Sequence, residues 1–151
     1  MNGTSSNQKS LLRRVGLATS LTVAGTLAIA PLAGAATAVA KVRANWEAFF
    51  SPKTSVVEKV ALLQNGPKFA AVIKGQRALM GAVSAKVSTV VVHGSKSATV
   101  HYTIFEGGRP VLKNQTGTAV FQAKRWKVGD ASFCGLLRLE GAKVKACAGI
   151  R

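Results

Sequence analysis

Two cysteines, two histidines and five acidic residues are nearly all the reactive side chains in this chain of 151 residues. Cys134 and Cys147 are separated by twelve residues. As free thiols they would need a positioned base, and neither His93 nor His101 is adjacent to them in sequence. As a disulfide they need only proximity and an oxidising compartment. In the chain-entropy picture a loop of this size contributes about 3 kcal/mol, which matters for a small domain. The two histidines fall on neighbouring predicted strands, but a metal would want a third ligand, so two surface histidines are the simpler reading. So few acids disfavour paired-carboxylate catalysis, an all-protein zinc cage and a carboxylate-lined calcium site. The chain lacks a Gly-x-Ser-x-Gly elbow, a phosphate-binding Gly-rich loop and a His-Glu-x-x-His helix, which removes the main support for hydrolase, kinase and metalloprotease chemistry. Asn114-Gln115-Thr116 has the form of a glycosylation sequon, given no weight on what reads as a strand.

The elements that must position these groups divide sharply along the chain. Residues 1–14 are polar and carry only positive charge, at Lys9, Arg13 and Arg14, whereas residues 15–40 carry no charge at all. Basic, then apolar, then small is the build of a secretory signal peptide, expected over residues 1–40. Ala33-Gly34-Ala35, Ala36-Thr37-Ala38 and Ala38-Val39-Ala40 are the small-x-small candidates for cleavage, placing the cut between about 35 and 41. The alternative is an uncleaved anchor, since 26 uncharged residues exceed the roughly 20 that span a bilayer. Pro31 and the small-residue tail favour cleavage. Arg13-Arg14 raises twin-arginine export, but Gly16 stands where a hydrophobic residue normally follows. No cysteine lies near the cleavage region, which disfavours a lipoprotein. Export would permit oxidation, so a Cys134–Cys147 disulfide is expected, pinning the basic tail 143–151 against the last strand.

Residues 41–151 form one expected domain of 111 residues, with eighteen Lys and Arg against five acids, a net +13, and all nine aromatics. Val42, Trp46, Phe49 and Phe50 fall at i, i+4, i+7 and i+8, an apolar stripe on an opening helix that Ser51-Pro52 ends. Thr54 or Ser55 caps a second helix, with Glu58 in its first turn, an apolar face of Val56, Val57, Val60, Ala61 and Leu63, and Asn65-Gly66 as the stop. Pro67 opens a third, with Phe69, Val72, Ile73, Leu79 and Met80 inward. After Gly81 the period becomes alternating. Strands are predicted over 86–93, 98–106, 112–123 and 126–137, with turns at Gly94-Ser95-Lys96-Ser97, Gly107-Gly108 and Lys124-Arg125. Helices followed by a strand meander indicate an α+β fold, with N-terminal helices packed on a curved four-stranded antiparallel sheet.

Ala44-Asn45-Trp46-Glu47-Ala48-Phe49-Phe50, Lys59-Val60-Ala61-Leu62-Leu63-Gln64-Asn65-Gly66, Phe69, Asn114-Gln115-Thr116-Gly117-Thr118-Ala119-Val120-Phe121 and Trp126-Lys127-Val128 with Ser132-Phe133-Cys134 complete a pattern. It resembles an actinobacterial secreted domain, that of the C-terminal part of the mycobacterial low-molecular-weight antigen, over almost the whole of 41–151. The resemblance implies a fold of the cystatin or nuclear-transport-factor-two type, helices lying in the concave side of the sheet. It implies no assigned activity and no catalytic residues.

Such a cone either encloses a pocket or fills it with core side chains. Related cone-shaped enzymes place an acid or base inside, and the candidates here are Asp130, His101, Tyr102 and Glu106. Asp130, in Lys127-Val128-Gly129-Asp130-Ala131, is expected on a strand beside aromatics, where burial would raise its pKa and make it a base. The plainer reading is an edge Asp paired with a neighbouring cation. Basic residues concentrate at Lys124, Arg125 and Lys127 and again at Arg138, Lys143 and Lys145, a surface suited to anionic cell-envelope polymers or an extracellular protein. One Trp, Trp126, among the cations is thin support for base stacking, so no specific nucleic acid is expected, and membrane contact only through an uncleaved leader. The leading expectation is a non-enzymatic secreted or wall-associated binding domain without a cofactor or metal; the alternative is a small-pocket enzyme using Asp130 or His101.

Overall fold

The computed structural model describes residues 31–76 and 81–151; residues 1–30 of the expected leader, and the expected inward pair Leu79 and Met80, lie outside them. Helix α1 spans Pro31–Phe50 and so runs through all three candidate cleavage sites. Residues 34–37 are exposed, whereas Val42, Trp46, Phe49 and Phe50 are buried, the stripe that the spacing predicts. Among the described residues no helix is long and apolar enough to cross a membrane. Pro52 disfavours helical backbone at the residue before it, and the chain turns through Ser51 and Pro52 into α2, Val56–Leu62. Ser55 caps α2, its hydroxyl accepting from the Glu58 amide at 3.2 Å.

Two positions on α2 differ from the expected apolar face. Val57 is 79% exposed, and Leu63 has left the helix for extended backbone, bridging in parallel to Val128. The buried face carries Leu62 and, unexpectedly, Lys59, which is only 4% exposed. Its ammonium donates to the carbonyls of Phe49 at 2.5 Å and Ser51 at 2.8 Å. The last carbonyls of a helix have no intrahelical donor and carry the negative end of its dipole, so a cation at the end of α1 satisfies both needs. Burial pulls the Lys59 amine down to about 8. Between that value and the ordinary 10.5 the unfolded chain holds the proton that the folded chain has lost, so stability contributed here rises with pH across that window. Urea unfolding of wild type and Lys59→Met should accordingly diverge in favour of wild type from pH 8 to pH 10; parallel curves would place the charge in solvent.

After the 3-10 turn Gly66–Phe69, α3 spans Ala70–Gly75 and buries Ile73, with Phe69 buried at its start. The sheet follows as an antiparallel meander in the order β1-β2-β3-β4: Val83–His93, Ser97–Glu106, Arg109–Gln122 and Arg125–Val128. On β2, Ala98, Val100, Tyr102 and Ile104 point into the core while the intervening residues face outward. Gly107 and Gly108, both at positive φ, make the two-residue turn that the sequence predicts. The last hairpin turns at Ala123-Lys124 rather than Lys124-Arg125, with both residues at positive φ despite their Cβ atoms. The free edge of β1 is covered where the strand bulges: the Arg43 guanidinium donates to the carbonyls of Val87 and Ser88, and the Glu47 carboxylate accepts from the Val87 amide at 2.9 Å. Beyond the stretch paired with β4, the β3 edge is broken by Pro110, Lys113 and a left-handed Asn114, features that discourage strand pairing between molecules.

The fourth strand is far shorter than the expected 126–137. It stops at Val128, and residues Asp130–Leu139 form a helix, α4. Phe133, Cys134 and Leu137 are the buried positions, at i, i+1 and i+4, a spacing that one face of a helix provides and one face of a strand does not. Gly129 makes the junction: its amide donates to the Thr118 carbonyl at 2.7 Å, and a Cβ there would lie 2.6 Å from that oxygen. Asp130 then falls in the first helical turn, where a carboxylate favours the helix dipole. The helices therefore cover the sheet from both ends of the chain, and their rings meet edge to face: Phe133 with Phe49 at 5.5 Å and with Phe69 at 5.6 Å.

Candidate functional site

The four residues expected around an internal acid or base do not gather. Tyr102 points into the core, 5.0 Å from the Trp46 ring, and burial pushes its phenol up to about 12. It also lines an open recess of about 450 Å³ between β3 and α4, with Gln115, Gly117 and Ser132. His101 is the next residue on β2 and so lies on the opposite face, its Nδ1 3.1 Å from the Thr116 hydroxyl. His93 lies across the sheet with its Nε2 2.8 Å from the Thr99 hydroxyl. Among the described residues no three of His, Cys, Asp and Glu come together. Glu106 is exposed at the end of β2. Asp130 stands at the start of α4 instead of on a strand; Asn65 donates its amide to the carboxylate at 2.8 Å, and the Asp130 backbone amide donates to Gln64. Gln122 exchanges two further hydrogen bonds with Asn65, so this polar group ties the α2–α3 connection to β3 and α4. No sequence motif marks that network, because Asn and Gln acquire partners only through tertiary placement.

The basic residues separate into two patches of different character. Arg125 and Lys127 line an open recess of about 330 Å³ together with Glu58, whose carboxylate pairs with Arg125 at 2.9 Å. Lys124 is exposed on the adjoining turn. Trp126 between them is 5% exposed and packs on Phe121 at 5.5 Å, so it is a core residue and not a stacking platform. Arg138, Lys143 and Lys145 line a second recess, of about 440 Å³, whose remaining walls are Ala142, Val144, Cys147 and Ala148. No carboxylate of the described residues lines it.

A Cys134–Cys147 disulfide fixes the shape of that second recess, with the two Cα atoms 5.6 Å apart. Because Cys134 sits on α4, the bond holds the tail against a helix and not against the last strand as expected. Cys134 is fully buried. Arg138 adds a second tie, its guanidinium donating to the Ile150 carbonyl.

Comparison with curated proteins finds no match. Comparison with protein families does: residues 34–144 match the low molecular weight antigen MTB12, C-terminal domain. The matched span begins within α1, runs through α4 and stops before Cys147, so the disulfide joins α4 to a segment just beyond it. Helices on a curved antiparallel sheet, and a match over nearly three quarters of the chain, agree with the resemblance carried by the sequence, and the protein belongs to the family of the MTB12 C-terminal domain.

Proposed function

We propose that this protein is an exported, non-enzymatic binding domain that holds an anionic polymer of the cell envelope in the recess formed by Arg138, Lys143 and Lys145. The observation that carries the reading is the grouping of three cations around one hollow with no carboxylate in its walls. Polyanions bind such surfaces through charge neutralisation and counterion release, without needing a shaped pocket. The basic, apolar and small-residue order of the first forty residues supports export, and the disulfide suits an oxidising compartment. Asp130 engaged by Asn65, and His101 facing away from Tyr102, support a binding role over catalysis.

Retention of the protein on purified cell wall across a salt series tests the proposal. Wild type should bind at low salt and elute as salt rises. Charge reversal at Arg138, Lys143 and Lys145 together should abolish retention, whereas Arg125→Glu, in the patch already carrying Glu58, should change it little. Absence of retention even at low salt, or equal losses in the two variants with folding intact by circular dichroism, would overturn it.

A further inference from the structure

We propose that the protein carries a second binding site, separate from the basic recess: a narrow apolar cleft that takes the end of a single aliphatic chain whose head group is uncharged or cationic. Its floor is Phe50, Ile104, Phe133 and Leu137, each at most 5% exposed, and Val83, Leu112 and Leu136 form a half-buried rim. Among the described residues its polar lining side chains are Gln76 and Glu140. The hollow measures about 70 Å³. A buried water needs two to four polar partners, and an apolar floor supplies none. The volume is about half of the roughly 150 Å³ in which an apolar engineered cavity accepts benzene, so a thin chain fits where a ring does not.

The walls come from α1, β1, β2, β3 and α4, and they are held apart rather than free to collapse. Phe50 is locked edge to face on Phe49 at 4.9 Å, and Phe49 in turn on Phe133. The residue after Phe133 is Cys134, fixed by the disulfide. The lining sets the head group as well. Among the described residues Glu140 is the charged one in the lining, and it caps the C-terminus of α4, where the helix dipole is also negative. A fatty-acid carboxylate would be repelled there, whereas a hydroxyl or an ammonium would be favoured.

The test titrates alkan-1-ols, alkylamines and alkanoates of six to ten carbons, below their critical micelle concentrations, into the oxidised protein and follows backbone and methyl NMR shifts. Affinity should rise roughly fourfold per methylene until the cleft is full, the equivalent of about 0.8 kcal/mol per buried CH₂. Decylamine and decanol should bind more tightly than decanoate, and Glu140→Gln should shrink the difference between amine and carboxylate. Leu136→Trp, which fills the rim, should abolish binding; Leu112→Phe, a smaller change on another element, should weaken it if the first variant folds poorly. Affinity independent of chain length, or unchanged when the rim is filled, would overturn the cleft. Decanoate binding as tightly as decylamine would overturn the head-group assignment.

Discussion

Trp46→Ala should lower the stability of the domain by about 3–5 kcal/mol, the range for emptying a large aromatic site in a packed core. Trp46 is 1% exposed and touches elements far apart in sequence, with Tyr102 at 5.0 Å on the sheet and Phe50 at 6.2 Å one turn along α1. Its partner on β3 is the absence of a side chain. A Cβ at Gly117 would lie 2.6 Å from Cη2 and 2.9 Å from Cζ2 of the indole, and 3.0 Å from the Ser132 hydroxyl. Gly117→Ala should therefore destabilise by overpacking, about 1–3 kcal/mol. Trp46→Phe has a further consequence, because the indole N–H is buried with no acceptor among the described residues. Removing an unsatisfied buried donor relieves about 1–3 kcal/mol and offsets part of the cavity term. Phe is also too short to meet a Cβ at position 117, so Gly117→Ala should be markedly less damaging in the Trp46→Phe background. A urea-unfolding double-mutant cycle measures this coupling, and strict additivity would mean that ring and glycine do not determine each other.

Loss of the Cys134–Cys147 bond should have the next largest effect, about 3 kcal/mol for a closed loop of this size in the chain-entropy account. The location of the loss is as informative as its size. Cys134 lies in the core while Cys147 anchors a tail otherwise held by the Arg138 contact to Ile150, by short turns and by half-buried packing of Val144, Ala146 and Ile150 on the core. A Cys134→Ala, Cys147→Ser protein should thus unfold at lower urea, and its amides from 143 to 151 should exchange with solvent far faster than those of β2. Exchange raised uniformly across the domain would show the bond acting on the whole fold instead.

Much of this architecture was legible in the residues. The stripe of Val42, Trp46, Phe49 and Phe50, the Ser55 cap with Glu58 behind it, and the Gly107-Gly108 turn are each decided by neighbours within a few positions, so periodicity and turn chemistry suffice to find them. The errors lie where a local pattern has two solutions. The strand expected over 126–137 ends at Val128, and the helix that follows is selected by Gly129, whose close approach to Thr118 turns the chain off the sheet. Lys59 is not among the residues of the apolar face that the spacing predicts for α2, and only the end of α1 above it gives the ammonium two carbonyls to satisfy.

By itself the sequence determined the order of elements as far as the fourth strand, the change from a basic N-terminal stretch to an aromatic-bearing region, the family and the candidate cysteine pair. Those properties follow from which residues occur and how they are spaced. The tertiary structure alone decided which groups share a site: it sent His101 and Tyr102 to opposite faces, tied Asp130 to Asn65, divided the cations into an acid-bearing patch and an acid-free recess, and opened an apolar cleft beside Glu140. Proximity between residues on different elements depends on register and packing angle, and neither is written in the spacing of any one segment.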